Sequence, residues 1–312
     1  MTDILDRLNA NEILVCDGAM GTMLQSVGYR SGESPERWGR LHEAKLKEIH
    51  KAYIDAGADI ILTNTFGGSY PKLDKFDLGN ETESLNTGLA RIAVAQARQA
   101  QRRVYVAGDV GPTGEFMEPI GMLEEADMVA IFEQQVRALV TGGVDVILIE
   151  TMSDLAEATA AVKAAKAVCD LPVLVSLTYN LDRNGFRTMM GISPNQAVEQ
   201  LLQLGVDVIG ANCGDVLAEA MPSLIQQMKS AGAKWVLVEP NAGLPLMLEG
   251  KTVFPQTPTQ MAAQIPDLVA AGANIIGGCC GTTPEHIRQI ASTVNRTGTR
   301  TQNAECSVMN AE

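Results

Sequence analysis

The sequence predicts an α/β protein folded as a single (β/α)8 TIM barrel, and three observations lead there. Eight short runs of apolar, largely β-branched residues recur at 13–17, 59–64, 104–109, 145–150, 172–178, 206–211, 235–239 and 274–278. Runs so short and so continuously apolar fit strands buried on both faces of a parallel sheet. Amphipathic segments of helix length fill most of the gaps, at 43–56, 82–100, 124–141, 155–168, 194–204, 217–231 and 258–271. Strand and helix alternating eight times is the pattern of a closed parallel barrel. A short repeat also precedes every second strand: Ala56-Gly57-Ala58-Asp59, Gly142-Gly143-Val144-Asp145, Leu204-Gly205-Val206-Asp207 and Ala271-Gly272-Ala273-Asn274. Each glycine falls where a helix must stop and turn into a strand, so it reads as a left-handed cap with no chemical role.

The helix starts agree. Ser193-Pro194 with Gln196 and Thr257-Pro258 with Gln260 are capping boxes with proline in the first turn, and Thr283-Pro284 repeats the cap without the glutamine. Long loops are expected at 67–79, after the second strand, and at 240–255, after the seventh, on the face where barrels carry function. The barrel is expected to occupy 1–295. The small, polar stretch 296–312 is expected to be a disordered tail in which Cys306 is incidental.

Bulk properties narrow the function. With 312 residues, 46% hydrophobic and 20% charged, the chain suits one large core rather than disorder. Its 37 acids against 24 bases give a net charge of −13, which repels phosphates, so neither nucleic acid nor a membrane surface is an expected partner. The amino-terminal MTDILDRLNANE lacks the basic and apolar regions of a signal peptide, and no run approaches the ~20 apolar residues of a membrane span. A cytoplasmic location is expected. Six cysteines make no disulfide framework, and in a reducing compartment a cysteine cluster points to metal or catalysis.

Catalytic residues of such a barrel stand at the carboxyl ends of its strands. Here those ends gather polar and sulfur groups. They read Asp17-Gly18-Ala19, Thr63-Asn64-Thr65-Phe66-Gly67, Asp109 to Glu115, Glu150-Thr151, Asn212-Cys213-Gly214, Glu239-Pro240-Asn241 and Gly278-Cys279-Cys280-Gly281. Cys213 and the Cys279-Cys280 pair follow alternate strands, near enough to share a centre. Three soft thiolates suit zinc, with one position to spare. Neighbours on a strand point apart, so the adjacent cysteines call for the backbone freedom of Gly277, Gly278 and Gly281. On spacing alone, a metal stands level with three small buried side chains or a merely reactive Cys279-Cys280 pair; strand-end placement and the flanking glycines favour the metal. Cys16 and Cys169 have no such partner and read as core residues.

Asp17 and Glu150 are carboxylates at buried strand ends, and each needs a partner. A substrate ammonium would serve, and so, equally, would a salt bridge or the capping of a neighbouring helix. Asn64 and Asn212 can orient these acids or a substrate, or satisfy loop backbone. Of the three histidines, only His286 could form a dyad with a cysteine, and its place at a helix start favours a structural role. There is no GxSxG elbow, and glycine-rich 108–114 lacks the lysine of a P-loop.

Together these motifs resemble the homocysteine S-methyltransferase family, above all the homocysteine-binding barrel of cobalamin-dependent methionine synthases. The likeness runs in order through Asp17-Gly18-Ala19-Met20-Gly21-Thr22, Thr63 to Gly67, Gly108 to Gly114, Asn212-Cys213, Val238 to Gly243, and Gly277 to His286. The resemblance implies that Cys213, Cys279 and Cys280 bind Zn2+. It implies that Asp17 and Glu150 recognise the amino end of homocysteine, with Gly18, Ala19, Asn64 and Asn212 in the same pocket. It further implies an enzyme that methylates the homocysteine thiol to give methionine. The chain has no Asp-x-His-x-x-Gly corrinoid motif and no folate barrel, so the methyl group would come from methylcobalamin or another methylcorrinoid carried by a partner protein. S-methylmethionine or betaine is the alternative donor, and a different small thiol the alternative acceptor. A metal-assisted hydrolase fits less well, because such sites usually use histidine and carboxylate ligands. A non-catalytic, zinc-stabilised thiol- or corrinoid-protein-binding module stays open.

Overall fold

The computed structural model describes residues 3–248 and 251–296. Its wall is eight parallel strands: β1 (Leu14–Val15), β2 (Ile60–Leu62), β3 (Tyr105–Val110), β4 (Val146–Met152), β5 (Val173–Leu177), β6 (Val208–Asn212), β7 (Val236–Glu239) and β8 (Ile275–Ile276). Each overlaps one of the expected runs. Neighbours in sequence are neighbours in the sheet, β8 returns to β1, and a parallel bridge between Cys16 and Ile60 joins β1 to β2.

The alternation of side chains sorts the strand residues into two buried clusters. Leu14, Ile60, Tyr105, Val146, Leu148, Leu174, Val208, Leu237 and Ile275 fill the barrel, together with Ile4 and Leu8 of the short helix α1 (Ile4–Asn9). Val15, Ile61, Val106, Ile147, Val175, Ile209, Val236 and Ile276 face outward and pack under the helices. Those helices are α2 (Met20–Ser26), α3 (Pro35–Leu41), α4 (Glu43–Ala56), α5 (Tyr70–Asp74), α6 (Thr82–Gln99), α7 (Glu125–Gly142), α8 (Leu155–Val168), α9 (Pro194–Gln203), α10 (Met221–Ser230), α11 (Pro258–Ala262), α12 (Ile265–Ala271) and α13 (Pro284–Arg296).

The glycine repeat is structural, and its fourth residue completes it. Gly57, Gly143, Gly205 and Gly272 all have positive φ, where glycine carries no steric penalty. The side chains of Asp59, Asp145, Asp207 and Asn274 then accept from the amides of Val15, Val106, Val173 and Val236, one strand back in each case. Each repeat thus ties a pair of strands together at the end of the barrel opposite the site.

Several expectations need correction. The segment 258–271 is two helices, because Pro266 has no amide hydrogen to give the carbonyl of Ala262. The helix expected over 217–231 begins only at Met221. The loop 67–79 contains α5, and the loop 240–255 contains an antiparallel hairpin, Leu246–Leu248 with Lys251–Val253. Helix α13 runs through Arg296. The remainder of the expected tail, Cys306 included, lies outside the described residues. Among the described residues no helix is long and apolar enough to cross a membrane.

Candidate metal centre and substrate pocket

Three sulfur atoms meet at the carboxyl end of the barrel. Cys213 directly follows β6, where it and Gly214 take φ values of +59° and +65° and turn the chain sharply. Cys279 and Cys280 lie past the end of β8, in a turn, so the alternation that would send them to opposite faces does not apply. Gly281 has a φ of +80°, as its expected conformational role requires. Gly277 and Gly278 serve a different purpose from the freedom expected of them. A Cβ on Gly277 would sit 2.7 Å from Cys16 Cβ, and one on Gly278 would sit 2.5 Å from Thr282 Cγ2. They are small because the chain passes close to its neighbours.

A net of backbone bonds fixes the cysteine loops. The Cys213 amide donates to Glu239 O, the Cys279 amide to Pro240 O (3.0 Å), and the Ala242 amide to Cys280 O (2.9 Å). Thr282 Oγ1 donates to Cys279 O at 2.7 Å and accepts from the Ala19 amide at 3.0 Å, so the β8 loop is stitched to the β1 loop. The Ala19 carbonyl in turn accepts from the Tyr53 hydroxyl.

The donor set fits zinc. The sulfurs of Cys213, Cys279 and Cys280 lie within 4.8 Å of one another, with Cys213 Sγ to Cys280 Sγ at 3.9 Å. Two thiolates on a tetrahedral zinc, each ~2.3 Å from the ion, are separated by about 3.8 Å. The trio also favours ionisation at one member. Thiols of Cys279 and Cys280 donate to Cys213 and pull its pKa to about 3, while Cys279 and Cys280 are themselves pushed up.

A cavity of about 400 Å³ opens beside the sulfurs. Met20, Leu24, Leu62, Phe66 and Phe76 supply apolar wall, and the carboxyl groups of Asp17, Asp109, Glu150 and Glu239 reach it from β1, β3, β4 and β7. All four acids are at least 92% buried by exposures of 2%, 4%, 8% and 3%. Burial pushes Asp17, Asp109 and Glu239 well above the usual carboxylate range. Glu150 rises to about 7, chiefly through burial, with hydrogen bonds from Asp109, Thr151 and Asn212 restraining it. Such a floor favours a cationic group, which would restore the ionised forms.

The sequence-expected residues divide into three roles. Cys213, Cys279, Cys280, Asp17, Gly18, Ala19, Asn64 and Glu150 all line the cavity. Ala19 does so as wall only, since its amide is engaged by Thr282. Asn64 lines the cavity while its side-chain Nδ2 donates to Pro35 O at 2.9 Å, holding α3 over the opening. Asn212 is not among the lining residues. Its Nδ2 donates to Glu150 Oε2 (2.5 Å) and Thr151 Oγ1 (2.7 Å), and its Oδ1 accepts from the Thr151 amide (2.9 Å) and Ser176 Oγ (2.6 Å). It is a bracket for Glu150.

His286 stands apart from the sulfurs: Nδ1 accepts from the Thr283 amide in place of the absent capping glutamine, and Nε2 donates to Gln256 O. Cys16 is fully buried against Asp17 and Glu239, as a core residue. Asp109 and Glu239 are the acids that sequence reading did not single out. Both end strands, but nothing in the sequence ranks them above other acids.

Residues 14–294 match the family model of homocysteine S-methyltransferases. Among curated proteins, the methionine synthases of Mycobacterium leprae (strain TN) and Mycobacterium tuberculosis (strain ATCC 25618 / H37Rv) are each 33% identical, over 95% and 94% of this chain. The chain spans only 25% of the length of either. Among solved structures, the metallated form of the homocysteine methyltransferase MmuM from Escherichia coli superposes with a TM-score of 0.76 at 24% identity, covering 91% of this chain and 97% of that one. A methyltransferase from Methanosarcina mazei gives 0.58 at 11% identity, covering 96% and 100%. These superpositions speak to the barrel fold.

Proposed function

The chain belongs to the homocysteine S-methyltransferase family, and from that premise we propose that it holds zinc on Cys213, Cys279 and Cys280 and methylates the thiol of homocysteine to give methionine. The observation that carries this reading is the meeting of three thiols from two loops, within 4.8 Å, at the wall of a cavity floored by buried acids. Bound zinc supplies the Lewis acidity that keeps a thiol ionised at neutral pH, where a free thiol is mostly protonated and poorly nucleophilic. Three ligands leave a fourth position for that thiol.

The chain's own residues supply the rest. Three cysteinates outweigh the charge of a divalent ion, which keeps electron density on an incoming sulfur. Asp17 and Glu150 hold the substrate ammonium, and Asn212 orients Glu150. Leu24, Leu62 and Phe66 exclude water from the sulfur's path. The methyl donor on this reading is a methylcorrinoid carried by a partner protein. Support comes from the Thr63 to Gly67 and Gly108 to Gly114 motifs and from relatives that are methionine synthases four times the length of this chain. The expected setting is the cytoplasm.

The test is methionine formation by zinc-loaded protein given homocysteine with methylcobalamin, S-methylmethionine, glycine betaine or 5-methyltetrahydrofolate in parallel. Methionine from methylcobalamin alone supports the corrinoid reading. Methionine from a small donor replaces that reading with a free-standing one. Binding of homocysteine without turnover, even with a methylated corrinoid protein supplied, favours a non-catalytic thiol-binding module.

A further inference from the structure

The cavity floor holds more acid than the two carboxylates assigned above. Asp109 leaves β3 beside Glu150, and Glu239 ends β7 beside Asp17 and Cys16. Both line the cavity and are almost wholly buried, at 4% and 3% exposure. Each keeps one carboxyl oxygen, Oδ1 of Asp109 and Oε2 of Glu239, with no hydrogen-bond partner among the described residues. Native proteins rarely tolerate buried orphan oxygens without a reason, and a ligand donor is one of the few good reasons.

Among the described residues neither acid has a cation to answer it: the Asp109 carboxyl bonds Glu150, and the Glu239 carboxyl bonds Cys16. The ion pairs of the described residues lie elsewhere, and the one lysine among the described residues that line the cavity, Lys72, sits by the β3 loop near Gly114. By contrast, the buried Glu36 and Glu157 of the same end are answered: Glu36 by Ser34 and the Gly67 amide, Glu157 by Thr113. Among the buried carboxyl oxygens of the described residues only these two lack a partner; the other unpartnered oxygens belong to side-chain amides and hydroxyls away from the cavity.

We propose that Asp109 and Glu239 are substrate-binding residues, whose orphan oxygens accept from the ammonium group of the thiol amino acid and so make the pocket select an α-amino thiol over its des-amino analogue. The inference rests on the homocysteine reading and extends it from two acids to four. An ammonium offers three donors in a pyramid. Asp17 and Glu150 already spend oxygens on the Leu62 amide, Asn212 and Thr151, so two carboxylates alone meet it incompletely. Oxygens arriving from β3 and β7 close the cage from the remaining sides. A thiol without the ammonium would leave four buried carboxyls facing methylene groups, which is where the discrimination arises.

The test is calorimetric binding of homocysteine and of 4-sulfanylbutanoate, its des-amino analogue, to zinc-loaded wild type, Asp109→Asn and Glu239→Gln. Both variants are close to isosteric, and zinc content is measured on each. Wild type is expected to prefer homocysteine by well over tenfold. Asp109→Asn is expected to weaken homocysteine roughly tenfold, the scale of one charge-assisted hydrogen bond, and to leave 4-sulfanylbutanoate unchanged or tighter. Glu239→Gln should behave alike. The ratio of the two ligands on one protein is insensitive to a general loss of folding or zinc. An unchanged ratio in both variants overturns the four-acid cage while leaving the homocysteine reading in place. Failure of wild type to bind either thiol overturns both.

Discussion

Replacing Asn212 with alanine tests whether this residue acts through Glu150 or on the substrate. The side chain makes five hydrogen bonds, to Glu150, Thr151 Oγ1, the Thr151 amide, Ser176 and, at 3.9 Å, Cys279 Sγ. Thr151 needs the support, because its φ of +58° is unfavourable for a β-branched residue. The truncation strips partners from Ser176, which is fully buried, and from the carboxylate of Glu150. A bond to an ionisable acceptor contributes about 1.5–3 kcal/mol, and each neutral group left unpaired costs about 1–3 kcal/mol, reduced where water enters the space vacated. The net loss should be about 3 kcal/mol, or roughly 6 °C in melting temperature for a domain of this size.

The same change has a signed pH consequence. Glu150, raised to about 7, is held down in part by the Asn212 bond. Without that bond its pKa rises further, so a larger fraction is protonated at neutral pH and less able to hold an ammonium. Homocysteine binding in wild type should strengthen as pH rises through about 7, and in Asn212→Ala the midpoint should move to higher pH. Calorimetric titrations at a series of pH values, alongside thermal melts, read both effects. A variant that melts like wild type and shows the same pH midpoint would refute the bracket; a variant whose affinity falls equally at every pH would place Asn212 on the substrate instead.

Two further perturbations probe the scaffold. Gly281→Ala forces an L side chain to φ +80° and drives its Cβ to 2.1 Å from Phe254 Cγ. About 2–4 kcal/mol of destabilisation should follow, with zinc lost sooner in a chelator competition because Cys280 is displaced; unaltered zinc retention would contradict the argument. His50 on α4 is fully buried with neither ring nitrogen partnered among the described residues, and burial lowers its pKa from 6.5 to about 4. Well above pH 6.5 the ring is neutral folded or unfolded, so its titration has no effect on stability. As pH falls from 6.5 to 4 the unfolded chain takes up a proton that the folded one refuses, a loss of about 3 kcal/mol by pH 4. Denaturant unfolding of wild type and His50→Leu should therefore diverge over that window, and parallel stability curves would rule the effect out.

The barrel was legible in the sequence because its signals are local. Strand runs, helix periodicity, the Ser193 and Thr257 boxes and the glycine repeat each depend on a few adjacent residues, and each is found where expected apart from the late start at Met221 and the split of 258–271. The break at Pro266 was equally local, a missing amide hydrogen within an otherwise helical stretch. The thiol cluster was legible through strand-end placement, which turns positions 213 and 279–280 into neighbours once the barrel is assumed. What sequence order could not convey is which polar groups answer one another across the mouth. Whether Asn212 faces the cavity or Glu150, whether the Ala19 amide is free or held by Thr282, and whether Asp109 has a partner depend on strands that meet only in three dimensions. Gly277 and Gly278 illustrate the same limit: their smallness answers Cys16 and Thr282, far away in the chain or around a turn.

The central claim is that Cys213, Cys279 and Cys280 hold one zinc whose fourth position receives the homocysteine thiol. X-ray absorption at the zinc edge, on protein with and without homocysteine, tests it most directly. The account predicts one zinc per chain with three sulfur neighbours at ~2.3 Å and one lighter neighbour, becoming four sulfurs when homocysteine is added. It also predicts that Cys213→Ala, Cys279→Ala and Cys280→Ala each abolish stoichiometric zinc. A zinc shell that does not change on adding homocysteine, or full zinc in any of the three variants, would contradict it.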